Sequence, residues 1–191
     1  MPRKGAKGKW NLKVSPDEWY SKHPDPWGVE LKPSEQLKSD LICGIIEGFN
    51  LIDIGCGEGH FTKQYMGHCG RVTGLDVSRI AIGRARRLYS IQDFALQFEV
   101  HDITKEKYGG SAWETVLLSE VLYYIKPELW SVVSKNIKDM VHNGYGQFII
   151  SVGQYFTESD IKKIFPWCEF DQVYKLPSKK YEYNLIMSGR K

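Results

Sequence analysis

Apolar and polar positions along this chain follow two periods that take turns. Short apolar runs, of the kind buried on both faces of a parallel sheet, occur at Leu51, Ile52 and Ile54, at Arg71 to Leu75, at Leu96 to Val100, at Thr115 to Leu118 and at Gly146 to Val152. Between them the period lengthens to that of a helix. Leu37, Leu41, Ile42, Ile45 and Ile46 predict a helix from about Ser34 that stops at Gly48. A second helix is expected over about 58–66. Ser78 suits the N-cap of a third, carrying Ile80, Ile82, Ala85, Leu88 and Tyr89. Pro127 suits the first turn of a fourth, with Leu129, Trp130, Val133, Ile137, Met140 and Val141 on one face. Thr157 opens a short helix through Phe165, with Asp160 as capping-box partner. Two strand-like pieces, about 168–175 and 182–190, close the chain. The turn-forming Leu176-Pro177-Ser178 joins them and no helix separates them, which predicts an antiparallel hairpin. The alternation predicts an α/β, doubly wound, mostly parallel sheet with helices on both faces, over residues 33–191. Residues 1–32 read as an irregular arm rich in Trp, Pro and Lys, because Pro24 and Pro26 argue against regular structure.

Composition narrows the class. The 191 residues are 42% hydrophobic and 26% charged, which fits one soluble globular domain with a substantial core. No apolar run approaches the roughly 20 residues that span a bilayer, so no membrane role is expected. The first ten residues lack the apolar stretch of a secretory signal, and a cytoplasmic location is the expectation. Cys43, Cys56, Cys69 and Cys168 form no C-x-x-C pair, so no metal site is expected and buried or incidental thiols explain them. Arg3, Lys4, Lys7, Lys9 and Lys13 crowd the first 13 residues, while the whole chain is only +3, so the rest carries −2. A short basic arm can touch nucleic acid or an anionic surface. A solvated terminus is the simpler reading, because the body is not basic, and a nucleic-acid partner stays open as the lesser alternative.

The chemistry concentrates where the first strand ends. Asp53 is followed by Gly55, Cys56, Gly57 and Gly59, a turn in which the backbone can approach a ligand closely. About twenty residues on, the second strand ends in Asp76, the spacing at which a doubly wound sheet offers a carboxylate to ribose hydroxyls. A nucleoside cofactor follows. The dinucleotide fingerprint G-x-G-x-x-G would need a third glycine at position 60, where His60 stands; here it has moved to Gly59. Asp53 would also repel a pyrophosphate, whereas it suits a ligand carrying an ammonium and a sulfonium.

The pattern D-x-G-x-G-x-G resembles motif I of the class I, Rossmann-like S-adenosylmethionine (SAM)-dependent methyltransferases, and the likeness runs over about residues 34–191. It implies a three-layer, seven-stranded sheet of order 3-2-1-4-5-7-6 with its last strand antiparallel, and SAM as the cofactor. Residue by residue, the resemblance implies that Asp53 and the backbone of Gly55, Cys56 and Gly57 hold the methionine end. Asp76 would accept from both ribose hydroxyls, Val77 would pack on adenine, and Asp102 with the Ile103 amide would serve the adenine edge. Ser119 and Glu120 would lie nearest the reactive methyl. Plainer readings stand beside these: Asp76 as a helix-start acid, Asp102 as a turn residue, Glu120 as a solvated strand-end acid.

The acceptor is less marked. An amine must lose its proton, or a hydroxyl meet a base, before it attacks. Glu120, Tyr123, Tyr124, His23 and Tyr20 are candidates, with Glu120 and Tyr123 expected to be catalytic. Ser119-Glu120-Val121-Leu122-Tyr123-Tyr124 is not the D/N-P-P-Y of exocyclic-amine methylases, and no Pro-Cys dipeptide exists for attack on a cytosine ring. The run LSEVLYYI at 118–125, with Asp25-Pro26-Trp27-Gly28, resembles the nodulation-protein-S-type branch, which N-methylates the amino sugar at the end of a chitooligosaccharide. The expected reaction is methyl transfer to a nucleophilic N or O of a sugar-like or other small acceptor. The N-terminal 30 residues are expected to cover the site, since no long insertion follows the fifth strand. A nicotinamide- or flavin-dependent oxidoreductase and a non-catalytic SAM-binding or partner-activating subunit remain as alternatives.

Overall fold

The computed structural model describes residues 14–23, 25–26, 32–89, 95–109, 113–153, 155–177 and 183–191. The basic side chains of residues 3–13, Trp10, Pro24, Trp27, Gly28 and Ser178 lie outside them. Helix α1 (Pro16–Lys22) comes first, then α2 (Pro33–Ile45), β1 (Asn50–Ile54), α3 (His60–Tyr65), β2 (Arg71–Asp76), α4 (Arg79–Leu88), β3 (Leu96–Val100) and β4 (Thr115–Ser119). Two 3₁₀ turns, Leu122–Tyr124 and Pro127–Leu129, lead into α5 (Trp130–Met140), followed by β5 (Gln147–Gly153), α6 (Glu158–Ile164), β6 (Glu169–Pro177) and β7 (Tyr183–Arg190).

The strands form one seven-stranded sheet of order β3-β2-β1-β4-β5-β7-β6. The first five are parallel, and β7 runs antiparallel to both β5 and β6. Side chains alternate across it and build two cores. Ile52, Ile54, Val116, Leu118, Phe148 and Ile150 pack with α5 and α6 on one face. Leu51, Leu117, Ile149 and Ile186 pack with α2, α3 and α4 on the other. Three layers result, as the alternation predicts. The order reverses between β1 and β4, so a crevice opens beyond the carboxyl ends of those strands.

Several elements depart from the sequence reading. Residues 16–22 are helical, not irregular: Ser15 accepts from the Glu18 amide at 3.1 Å, Pro16 occupies the first turn, and Asp17 and Glu18 favour the dipole's positive end. Within α2, Leu37 is 50% exposed while Lys38 and Ser39 are buried with Ile42, so the inward face is more polar than its period implied. Leu88 of α4 is exposed. The helix after the glycine loop is shorter than expected, and the segment at Pro127 begins as 3₁₀ before α5. β6 continues through Leu176 and Pro177, which the sequence assigned to the turn. The capping box at Thr157 and Asp160 is present.

Candidate functional site

The chain leaves β1 through Gly55 and Gly57, both at positive φ (80° and 56°). A Cβ at Gly55 would come within 2.1 Å of Val121 Cγ2, and one at Gly57 within 2.8 Å of the Tyr20 hydroxyl. The loop is therefore pressed between the segment after β4 and helix α1. Its amides are occupied from within. Gly55 and Cys56 both donate to the Leu75 carbonyl (2.7 and 2.9 Å), Gly57 donates to Asp76 Oδ2 (3.0 Å) and Gly59 to the Cys56 carbonyl (3.0 Å). The sequence reading expected these amides to face a ligand, and that expectation is corrected here. A pyrophosphate loop needs free N–H donors; this one has spent four of them and is poorly suited to an anion.

Two carboxylates flank the loop. Asp53 is buried at the end of β1 and accepts from Thr62 Oγ1 at 2.6 Å. Burial pushes its carboxyl up to about 6, and the negative Asp76 adds to the rise against the Thr62 hydrogen bond. Asp76 ends β2 and accepts the Ser78 amide on Oδ1 (2.8 Å) and the Gly57 amide on Oδ2. Burial raises it too, against those two hydrogen bonds. Acceptor capacity remains on both its oxygens. Cys56 sits between these acids. Burial, then Asp76 and Asp53, drive its thiol well above the ordinary range, so it is no nucleophile. Val77 is exposed beside Asp76.

Further along the edge, Asp102 is tied into its own turn. Its Oδ1 accepts from the Thr104 amide (3.0 Å) and hydroxyl (2.6 Å), and Lys105 Nζ lies 3.4 Å from Oδ2. Although burial works the other way, these partners hold Asp102 below the usual carboxylate range. Ile103 is buried in the α5 core, its carbonyl accepting from Asn136 Nδ2 at 2.9 Å.

At the end of β4, Ser119 pairs in register with Ser151 of β5. Glu120 follows with φ +60, an uncommon conformation for a residue with a Cβ. Its amide donates to the Ser151 carbonyl at 2.8 Å. Its Oε1 accepts from Ser151 Oγ at 2.9 Å and lies 3.7 Å from Lys38 Nζ, and its Oε2 accepts from the Tyr123 hydroxyl. With 22% of the side chain exposed and three residues on its carboxylate, Glu120 is not a solvated strand-end acid. Tyr123 packs edge-on against Tyr124.

Helix α1 lies against the same region. Asp17 Oδ1 accepts from Ser78 Oγ (2.7 Å) and the Ile80 amide (3.3 Å). The Ser78 hydrogen bond, foremost, keeps Asp17 below the usual range. Arg84 of α4 donates to the Tyr20 and His23 carbonyls and, at 2.6 Å, to Glu58 Oε1. Tyr20 is thus held beside the loop, while His23 is exposed and bonds the Trp19 carbonyl through Nδ1. Asp25, Glu58 and His60 bring ligand atoms within 4.8 Å of one another. The Arg84 guanidinium already balances Glu58 there, which makes the group an ion-pair latch for α1. The four cysteines are free thiols. No helix among the described residues is long and apolar enough to cross a membrane.

Sequence reasoning missed Lys38, Ser151, Arg84 and Asp17. It also missed Asn184, buried at the start of β7 opposite Gly153, whose Oδ1 has no hydrogen-bond partner among the described residues. The Ser15-Pro16-Asp17-Glu18 cap was a readable signal for α1. Nothing local marked the others.

The chain is similar to known proteins in sequence and in fold. Residues 51–144 match the methyltransferase domain family. The chain is 30% identical over 105 residues to nodulation protein S of Rhizobium tropici, covering 53% of this chain and 43% of that protein. It is 27% identical over 150 residues to an uncharacterized methyltransferase of Schizosaccharomyces pombe, covering 76% and 56%. The chain spans about half the length of the curated relatives it matches. Among solved structures, the N-methyltransferase NodS of Bradyrhizobium japonicum in complex with S-adenosyl-L-homocysteine superposes with a TM-score of 0.76 at 21% identity, over 91% of this chain and 98% of that one. The 1,6-didemethyltoxoflavin-N1-methyltransferase of Burkholderia thailandensis gives 0.75 at 18% identity, over 91% and 84%. At such identities the likeness is one of fold.

Proposed function

We propose that this chain is a class I, Rossmann-like SAM-dependent methyltransferase of a kind similar to nodulation protein S, and that it methylates a nucleophilic nitrogen on a sugar-like or other small amine acceptor. SAM fits the residues present. A buried, destabilised Asp53, a loop with its amides spent and a doubly anchored Asp76 suit a cationic nucleoside better than a pyrophosphate. Asp53 and the loop carbonyls, its amides being engaged, would take the ammonium of the methionine end, Asp76 the ribose hydroxyls, and Val77, Asp102 and Ile103 the adenine. Ser119 would line the floor. When bound, SAM supplies a methyl group on a sulfonium, open to in-line displacement.

The single observation that carries the acceptor reading is Glu120. It is fixed beside Gly55 by its neighbour Val121, and its carboxylate is aimed by Tyr123, Ser151 and Lys38. Among the described residues Oε2 accepts only from Tyr123, which leaves it a lone pair for the acceptor. An incoming ammonium would be drawn to that oxygen and oriented by it. Glu120 Oε2 would take the proton the amine loses, and the Tyr123 hydroxyl would hold the carboxylate in place. Holding the amine in line with the methyl group would itself be a large part of catalysis. Helix α1, latched by Arg84 and Asp17, would cover the cofactor end.

The test is transfer of tritiated methyl from SAM to a chitotetraose with one free terminal amine, with fully acetylated chitotetraose as control. Label in the first alone is expected. Label in the acetylated control would remove the amine reading. No label in either, with SAM bound, would favour a non-catalytic SAM-binding subunit.

A further inference from the structure

We propose that Lys38 is a positioning residue of the acceptor site, holding the Glu120 carboxylate in place and limiting the pocket to one net negative charge. The inference rests on the amine-acceptor reading above and adds the residue that sets its electrostatics. Lys38 belongs to α2, eighty positions from Glu120, yet only 3% of its side chain is exposed. Burying an ammonium is expensive unless it is paired. Lys38 Nζ stands 2.6 Å from Glu35 Oε2 and 3.7 Å from Glu120 Oε1. Although burial works against its charge, the Glu120 and Glu35 carboxylates more than offset this, and its pKa is raised. It is a fixed cation.

Packing does not call for one at this position. The same inward face of α2 carries Ile42 in an apolar cluster, and an aliphatic side chain at 38 would serve the helix equally well. A pair with Glu35, three residues earlier, could also form at the surface. What burial adds is the reach to Glu120. That residue holds a positive φ, a conformation that persists only where the surroundings over-determine it. Lys38 from α2, Tyr123 from the 3₁₀ turn and Ser151 from β5 do so together. Lys38 and Ser151 both engage Oε1, which directs the less occupied Oε2 outward. One ammonium between two carboxylates leaves a net charge of −1, the complement of a single protonated amine. Without Lys38, Glu35 and Glu120 would face each other as like charges and Glu120 would be free to turn.

The test is a cycle of K38M, E120Q and the double variant, with K38R alongside, scored by methyl transfer to mono-amine chitotetraose and by thermal melting. Calorimetric binding of S-adenosyl-L-homocysteine confirms that each variant is folded. K38M is expected to lower kcat at least about tenfold while cofactor Kd stays within about twofold. In the E120Q background it should change kcat by less than about twofold, because Lys38 acts through Glu120. K38R should retain more activity than K38M although it is the larger change in volume. Multiplying effects, or equal loss in K38R and K38M, would overturn the proposal. If the wild-type protein methylates no amine probe, the amine reading has failed, and melting then decides the pairing. A double variant that melts no lower than K38M supports it, and strictly additive losses overturn it.

Discussion

The two halves of the crevice bury acidic groups in opposite ways. On the side proposed for the cofactor, Asp53 and Asp76 are satisfied by neighbours within one βαβ unit: the Thr62 hydroxyl and the amides of Gly57 and Ser78. Their carboxyls are still raised by burial, and no cation pairs with either among the described residues. On the acceptor side, Glu120 is met by groups from α2, the 3₁₀ turn and β5, and one of them is an ammonium. As proposed, the first half would receive a positive ligand into a site that holds none among the described residues. The second is balanced by the protein itself, and only its remaining charge is left to draw a substrate.

The contrast can be broken from either side. The largest effect is expected for Gly55→Val, which forces a β-branched residue to positive φ and drives it into Val121. Cofactor affinity should fall beyond about a hundredfold, or ~2.7 kcal/mol, by calorimetry. Glu120→Gln should separate the halves, lowering kcat about a hundredfold while cofactor Kd moves less than about twofold. Equal loss in both would mean that the halves are not distinct. Asp76→Ala should do the reverse, weakening SAM at least about tenfold, or 1.4 kcal/mol, with acceptor KM unchanged.

The smallest effect is the most diagnostic of the uncompensated charge. The Asp53 carboxyl sits at about 6 in the fold against an ordinary value of 3.8. The proton therefore stabilises the free protein, an advantage complete below the ordinary value and lost as pH rises through about 6. A cationic ligand prefers the ionised form, so SAM affinity should rise about tenfold from pH 5 to pH 7, with proton release seen in buffers of different ionisation enthalpy. A flat profile would place the ligand's charge elsewhere, and Asp53→Asn should flatten it.

The same division decides what could be read from the chain. The parallel strands, the Ser78 and Thr157 caps and the Asp53-to-Asp76 spacing are local patterns, and each appears where its residues imply. Helix α1 was hidden because Pro24 and Pro26 outweighed the Ser15-Pro16 cap a few residues earlier. Lys38 was hidden for a different reason. A lysine inside an apolar period reads as a solvated position, and only tertiary packing brings it to an acid eighty residues away. The loop amides were misread because their partners, the Leu75 carbonyl and Asp76, lie on the neighbouring strand.

The most direct measurement is a calorimetric titration of the full chain with SAM, repeated with NAD. One SAM site per chain is expected, with proton release near pH 6 and no binding of NAD. Tight NAD binding without SAM binding would contradict this.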